Sequence, residues 1–197
     1  MVIDHLSECY EFSPNIGTTF IYCNYAEPRT SLEYIRLAIK QLCQKIDPLP
    51  PKLDQSYEKH YKNHSQPSFQ ELQDLFLTIA QQLDSMFFVL DALDECSPDQ
   101  RADLYKFITG IVEQRAGMSY GTIKFFVASR KELDIEKAFA RKSFPTIEIE
   151  AAKVDSDIML YVKAQIEQRL DDGSLSFSNP ILKDKIFHAL TSKAGGM

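Results

Sequence analysis

The sequence predicts an α/β fold in which a parallel sheet with helices between its strands is followed by a purely helical segment. Short β-branched or aromatic runs alternate with longer segments of helical periodicity, as in repeated strand–helix units. Residues 86–90 are apolar at every position, which is typical of a central parallel strand covered on both faces. Only helical patterns follow residue 154. We therefore expect an α/β core over residues 1–153 and the start of a helical subdomain over residues 154–197.

Composition places the chain among ordinary globular proteins. Its 197 residues are 44% hydrophobic and 25% charged, a balance that allows a substantial core to be buried. The net charge of -6 disfavours nucleic acid as a partner, because such binding relies on neutralising phosphates. The cysteines lack the close spacing of a zinc or disulfide scaffold, so we expect reduced thiols. We expect no signal peptide and no membrane partner, and we predict a cytoplasmic location.

The first part of the chain predicts a helix, a strand and a second helix. Residues 1–10 have helical periodicity without a capping residue before them, so we expect the chain to begin within this element. Turn residues at 13–17 precede a β-branched strand at 18–23. Residues 28–31 then cap a helix at 32–45, which has a continuous apolar stripe.

The polar segment between residues 48 and 67 contains two histidines, His60 and His64, four positions apart. This spacing can bind zinc on a helix, but no glutamate lies between them and no third ligand is near, which favours a solvated surface. A helix is predicted next, over residues 68–83. Ser68 is its expected N-cap, and Glu71 occupies the reciprocal position of a capping box.

The second half of the chain continues the alternation of strands and helices. Ser97, Pro98 and Gln100 have the pattern of a helix start, and this helix extends to about residue 114. The elements predicted after it are a strand at 122–128, a short helix at 134–140, a half-exposed edge strand at 146–150, and helices at 157–170 and 180–193.

Charged side chains follow two of the predicted strands at the point where each strand ends. Asp91, Asp94 and Glu95 come after the first of these strands, and Arg130 follows the second. Ligands of open α/β sheets bind beyond the carboxyl ends of the strands. An aspartate there can hold magnesium, an acid can orient or deprotonate water, and an arginine can contact a phosphate. The alternative is that the acids occur here only because the start of the following helix favours negative charge.

Three stretches of the sequence resemble the NACHT domain of fungal signalling NTPases of the STAND class. They are residues 87–96 (FFVLDALDEC), Ser129 and Arg130 followed by residues 134–136 (DIE), and residues 157–162. The subgroup that the chain resembles most is the nephrocystin-3-like N-terminal domain, which often precedes ankyrin or other repeats. The resemblance covers nearly the whole chain and implies a three-layer, P-loop-NTPase-like parallel sheet.

The resemblance also implies roles for the charged residues. Asp91 matches the Walker B aspartate that binds magnesium, and Asp94 and Glu95 match catalytic residues that position water. Arg130 matches the sensor arginine that contacts the nucleotide, with Ser129 beside it. The implied cofactors are Mg2+ with ATP or GTP. The implied partners are proteins, either further copies of the chain or repeat and effector domains.

One motif of the resembled family is missing from the sequence. The phosphate-binding loop GxxxxGK[ST], or Walker A motif, does not occur, and Gly117 and Gly121 are too close together to form it. Residues 1–6 instead resemble the end of the helix that this loop opens. In the family, the first strand lies between the strands matched here by residues 122–128 and 146–150. We therefore expect a sheet that lacks its first strand, with three adjacent strands and a displaced segment at 146–150.

The leading functional hypothesis is a fragment of a NACHT-type signalling NTPase, a nucleotide-dependent assembly switch that is inactive in ATP hydrolysis on its own. The alternative is a non-catalytic interaction or oligomerisation module that retains the fold. A third hypothesis is a magnesium-dependent phosphohydrolase that uses only the three carboxylates. It is disfavoured because no other group would bind the substrate.

Overall fold

The computed structural model describes residues 2–10, 13–27, 29–115, 121–142, 144–149, 151–177 and 179–192. The chain divides into two compact units, Met1–Ser143 and Phe144–Met197. The subdomain boundary expected between residues 153 and 154 stays a prediction.

The first unit alternates strands with helices, which confirms the α/β class. Its elements in chain order are α1 (Val2–Tyr10), β1 (Ile16–Tyr22), α2 (Ser31–Cys43), α3 (Pro51–Lys62), α4 (Phe69–Ala80), β2 (Ser85–Asp91), a 3-10 turn (Leu93–Glu95), α5 (Pro98–Arg115), β3 (Thr122–Val127) and α6 (Leu133–Ala140). The second unit contains α7 (Ala151–Asp171) and α8 (Pro180–Ser192).

The strands of the first unit form one parallel, three-stranded sheet in the order β1-β2-β3. Ile16 lies opposite Ser85, and Ser85 lies opposite Thr122, so the strands start at the same level. The predicted set of three adjacent strands is therefore confirmed. β2 is the central strand and is largely buried, as its apolar sequence predicted.

The core of the first unit lies between one face of the sheet and helices α2, α4 and α5. Phe88 of β2 is fully buried, and its ring centroid lies 5.9 Å from that of Phe76 on α4 and 6.0 Å from that of Phe107 on α5. Side chains alternate across a strand, so Phe87 points to the opposite face. There it stacks on Tyr10 of α1, with the ring centroids 5.2 Å apart. Helices of the first unit thus contact both faces of β2.

Edge strand β1 is hydrogen-bonded by a side chain of α2. Gln41 Oε1 accepts hydrogen bonds from Thr19 Oγ1 and from the Phe20 backbone N–H, each 2.8 Å long, and Gln41 Nε2 donates to the Phe20 carbonyl at 2.9 Å. The amide of Gln41 therefore occupies backbone groups that a neighbouring strand would otherwise use. We infer that it restricts pairing of a further strand at this edge.

The predicted edge strand at 146–150 is wrong for the residues that the structure describes. Residues 144–149 form neither strand nor helix, and Ile147 and Ile149 are 88% and 75% exposed. The alternating pattern suits a strand with one covered face, but a strand is stable only where a neighbouring strand supplies hydrogen-bond partners. Glu150 lies outside the described residues.

The polar segment after residue 48 forms helix α3, which sequence reasoning did not predict. Pro51 occupies its first turn, where a missing backbone N–H has no cost. The expectation of a solvated surface was wrong for His60, whose side chain is 12% exposed because α4 lies beside α3. His60 Nε2 lies 2.9 Å from Glu71 Oε2, and His60 Nδ1 lies 2.7 Å from Ser65 Oγ. His64 is exposed.

Contact with α3 also changes the predicted helix start at Ser68. Ser68 Oγ accepts a hydrogen bond from the Glu71 backbone N–H at 3.3 Å, as predicted, but the Glu71 carboxylate accepts from Ser56 Oγ at 2.8 Å instead of closing a capping box. The capping box at α5 forms in full. Ser97 N–H donates to Gln100 Oε1 at 2.8 Å, and Gln100 N–H donates to Ser97 Oγ at 3.4 Å.

The second unit is helical over most of its described residues. α7 includes the predicted helix at 157–170, and α8 nearly coincides with the helix predicted at 180–193, of which Lys193 lies outside the described residues. α7 packs against α8, and Ile166 of α7 is buried. In the described part of the chain, no helix combines the length and the apolar character needed to span a membrane.

Candidate functional site

The acidic turn (residues 91–96) bends the chain from the carboxyl end of β2 towards the end of β3. Asp91 is the last residue of β2, and Ala92 adopts a left-handed backbone conformation, with φ at 55° and ψ at 45°. Leu93 is buried, and its backbone N–H donates to the Ala128 carbonyl at 3.1 Å, while the Ala128 N–H donates to the Leu90 carbonyl at 2.8 Å. These bonds keep the turn beside the residues that follow β3.

Asp94 binds the segment after β3 directly. Its Oδ1 accepts a hydrogen bond from the Arg130 backbone N–H at 2.9 Å, and its Oδ2 lies 3.6 Å from Arg130 Nε. The Asp94 side chain is only 10% exposed, whereas the Arg130 side chain is 69% exposed. The structure thus brings together two of the predicted site residues, and it leaves the guanidinium of Arg130 open to solvent. The geometry suits Asp94 for positioning Arg130.

The Asp91 carboxylate lies at the carboxyl end of β2. It is half-buried, and its Oδ1 accepts a hydrogen bond from the Ala92 backbone N–H at 3.0 Å. Within the described residues, its Oδ2 accepts no hydrogen bond from the protein. Magnesium in nucleotide sites is bound by one or two carboxylates together with water and substrate phosphates. The Asp91 carboxylate is therefore suited to be one of the protein ligands of a magnesium ion.

Glu95 points to a different part of the first unit. Its Oε2 accepts a hydrogen bond from the Tyr25 backbone N–H at 3.2 Å, which joins the acidic turn to the loop after β1. The three carboxylates thus have separate partners. Over the described ranges, no group of three or more His, Cys, Asp or Glu residues is arranged to hold a metal ion. The side chain of Ser129 donates to the Arg130 carbonyl at 2.6 Å.

Arg101 is a residue of this site that sequence reasoning missed. Its Nη1 lies 3.1 Å from both carboxylate oxygens of Asp134 on α6, and its Nη2 donates to the Asp94 carbonyl. The hydrogen bond from Arg101 holds the pKa of Asp134 below its usual range. The Arg101 side chain is only 14% exposed. The available signal was its spacing, since Arg101 precedes Leu104 and Ile108 on the buried stripe of α5.

A cleft of about 270 Å³ lies beside the end of β1. Its lining includes Phe20, Tyr22, Arg29 and Tyr34, and none of the five residues predicted for the site contributes to it. Its volume is just below the range of about 300–1,000 Å³ that is usual for small-molecule sites. The predicted site residues lie outside this cleft, at the carboxyl ends of β2 and β3.

Comparison with protein families extends these observations. The sequence model of the nephrocystin 3 N-terminal domain matches residues 1–130, which is more than half of the chain. The matched segment includes all three strands and ends at Arg130, so it contains the five predicted site residues. A search of curated proteins found no match. The chain belongs to the nephrocystin 3 N-terminal family.

Proposed function

We propose that this chain is the Walker B and sensor part of a NACHT-type, STAND-class nucleotide-dependent assembly switch, and that it does not hydrolyse nucleotide on its own. The observation that carries the proposal is the pairing of Asp94 with Arg130 across the carboxyl ends of two adjacent parallel strands. This edge of a parallel sheet is where phosphate-containing ligands bind in open α/β folds. Family membership and the FFVLDALDEC sequence at residues 87–96 support the same function.

The geometry suggests a different task for each side chain. Asp91 would provide one magnesium ligand through Oδ2, since Oδ1 accepts the Ala92 N–H. Magnesium, when bound, would offset the charge of the nucleotide phosphates. Asp94 would hold the backbone of Arg130, so that its exposed guanidinium can contact a terminal phosphate. Glu95 would connect any shift of the acidic turn to the loop after β1 through the Tyr25 amide.

The sequence lacks the groups that normally bind most of the triphosphate. No GxxxxGK[ST] stretch occurs among the 197 residues, so the loop amides, the lysine and the magnesium-binding hydroxyl are missing. One exposed arginine, with one carboxylate acting only through magnesium, gives weak, salt-sensitive attraction to a nucleotide. We therefore expect the chain alone to bind nucleotide poorly.

Equilibrium titration with a fluorescent ATP analogue and Mg2+ tests this proposal. The chain alone should show no saturable binding, and the chain extended by a phosphate-binding loop and strand from a family member should bind. In the extended protein, Asp91→Asn should weaken binding at least tenfold, which corresponds to about 1.4 kcal/mol. Asp99→Asn is a matched control, because Asp99 is an exposed aspartate in the first turn of α5. Absence of binding by a folded extended protein would refute the proposal.

A second candidate function is a non-catalytic interaction or oligomerisation module. It is favoured by two large aromatic side chains on one face of the sheet, Tyr22 and Phe126, which are 49% and 45% exposed. Sedimentation of the chain over a range of concentrations tests self-association. Phe126→Ser should then reduce it, whereas Tyr57→Ser, a change at an exposed aromatic residue of α3, should not.

A further inference from the structure

Two buried cysteines lie on the segments that the acidic turn joins. Cys23 directly follows β1 and Cys96 directly follows the 3-10 turn, and they are 4% and 5% exposed. Two hydrogen bonds hold these segments side by side. The Cys23 N–H donates to the Asp91 carbonyl at 3.0 Å, and the Tyr25 N–H donates to Glu95 Oε2 at 3.2 Å. The two thiols are adjacent and interact with each other.

The surroundings of the two thiols differ. The adjacent Cys96 thiol and burial raise the pKa of Cys23. The pKa of Cys96 is lowered by the Cys23 thiol, by the hydroxyl of Tyr34 and by the nearby guanidinium of Arg101. Tyr34 is itself buried. We therefore assign Cys96, which lies beside Tyr34 and Arg101, as the attacking thiol, and Cys23 as the thiol that resolves it.

We propose that Cys23 and Cys96 are a redox-active pair, which a hydroperoxide converts into a disulfide joining the acidic turn to the end of β1. The proposal rests on the juxtaposition of two buried thiols on hydrogen-bonded segments. It does not depend on nucleotide binding. Burial restricts the oxidant to a small molecule, and hydrogen peroxide is the appropriate chemical class.

The reaction has two steps. In the first, the Cys96 thiolate attacks one oxygen of hydrogen peroxide; an S–O bond forms, the O–O bond breaks, and the departing hydroxide takes up a proton as water. In the second, the sulfur of Cys23 attacks the Cys96 sulfenic acid; the S–S bond forms, the S–O bond breaks, and the departing hydroxide leaves as water with the Cys23 proton. Two thiols and one peroxide give one disulfide and two waters, with two electrons transferred from sulfur to oxygen.

The disulfide would restrict the turn that carries Asp94 and Glu95. Residues 91–96 would then be linked to β1 covalently, in addition to the hydrogen bonds at Asp91 and Glu95. A cross-link between residues so far apart in sequence also reduces the freedom of the unfolded chain. We expect the oxidised protein to melt at a higher temperature than the reduced protein.

Peptide mapping after peroxide treatment tests the proposal, in a Cys9→Ser background that removes the exposed thiol. We expect a cross-linked peptide that contains Cys23 and Cys96 and that disappears after reduction with dithiothreitol. The same peptide should form when Cys43→Ser is combined with Cys9→Ser. Cys43 is the matched control, because it is a half-buried thiol and burial raises its pKa. In a Cys23→Ser variant, dimedone should label Cys96. Failure of the folded Cys9→Ser protein to form the cross-link, or dimedone labelling of Cys43 in preference to Cys96, would overturn the proposal.

Discussion

The bond between the Asp94 carboxylate and the Arg130 backbone amide is tested by two substitutions at one position. Asp94→Ala removes the acceptor, whereas Asp94→Asn retains an acceptor oxygen and removes only the charge. The bond is 2.9 Å long and its acceptor side chain is 10% exposed. Hydrogen bonds to charged groups contribute about 1.5–3 kcal/mol, so we expect Asp94→Ala to lower the free energy of unfolding by about 2 kcal/mol.

The ion pair that Asp94 also makes should contribute much less. Asp94 Oδ2 and Arg130 Nε are 3.6 Å apart, and the Arg130 side chain is 69% exposed. Exposed pairs of this kind are worth about 0–1 kcal/mol, so Asp94→Asn should cost less than about 1 kcal/mol. Arg130→Ala should also cost less than about 1 kcal/mol, because it retains the backbone N–H that Asp94 binds.

Urea unfolding followed by circular dichroism at neutral pH measures these differences. Asp99→Ala is the control for loss of an exposed aspartate, and it should change stability by less than about 0.5 kcal/mol. The positioning role of Asp94 would be refuted if Asp94→Ala were as stable as Asp99→Ala. If Asp94→Asn and Asp94→Ala lowered the free energy of unfolding equally, the stabilisation would come from the charge of Asp94 and not from its hydrogen bond to the Arg130 amide.

Three further changes probe the scaffold around the site. Hydrogen bonds to the Glu71 carboxylate, of which the one from His60 has the largest effect, lower its pKa to about 2. The ionised carboxylate therefore stabilises the folded state above the unfolded pKa of 4.5, and this stabilisation is lost as the pH falls towards 2. In urea unfolding, Glu71→Gln should cost about 1 kcal/mol at pH 7, after allowance for partial exposure, and less at pH 3. Phe88→Ala should cost about 3–5 kcal/mol in the same assay, because Phe88 is fully buried. Gly121→Ala should cost about 1–3 kcal/mol, because a Cβ there would clash with the backbone carbonyl oxygens of Leu83 and Asp84.

Controls separate these effects from general damage to the fold. Lys62 and Glu58 form an exposed pair on α3, so Glu58→Gln should change stability little and without the dependence on pH expected for Glu71→Gln. A Glu71→Gln protein equally destabilised at both pH values would contradict the assignment of the pKa shift to the folded state. Phe88→Leu should recover most of the stability lost in Phe88→Ala, since it restores much of the buried volume.

Much of the fold could be predicted because it depends on residues close together in sequence. The apolar run before Asp91 predicted a central strand, and Ser97 with Gln100 predicted the start of α5; the structure confirms both. Strand termination by charged residues likewise predicted which side chains would lie at the carboxyl ends of β2 and β3. These features follow from side-chain periodicity and from hydrogen bonds within a single turn.

The contacts that determine the site could not be predicted in the same way. Asp94 and Arg130 are 36 residues apart in the sequence, and Tyr25 and Glu95 are 70 apart. The pairing of His60 with Glu71 required α3, which the proline-rich polar segment did not reveal. Residues 146–149 illustrate the opposite case, because their alternating pattern predicted a strand that the described residues do not form.

By itself, the sequence determined the α/β class, the three strands of the sheet with most of the helices between them, and the charged residues that follow β2 and β3. Only the tertiary structure decided what those residues contact: Asp94 binds the Arg130 amide, Glu95 binds the Tyr25 amide, and Asp91 binds the Ala92 amide through one carboxylate oxygen. It also decided that Cys23 and Cys96 are adjacent. The reason is physical. The periodicity of side chains depends on residues within one segment of the chain. The hydrogen-bond partner of a buried polar group depends on which distant segments pack beside it.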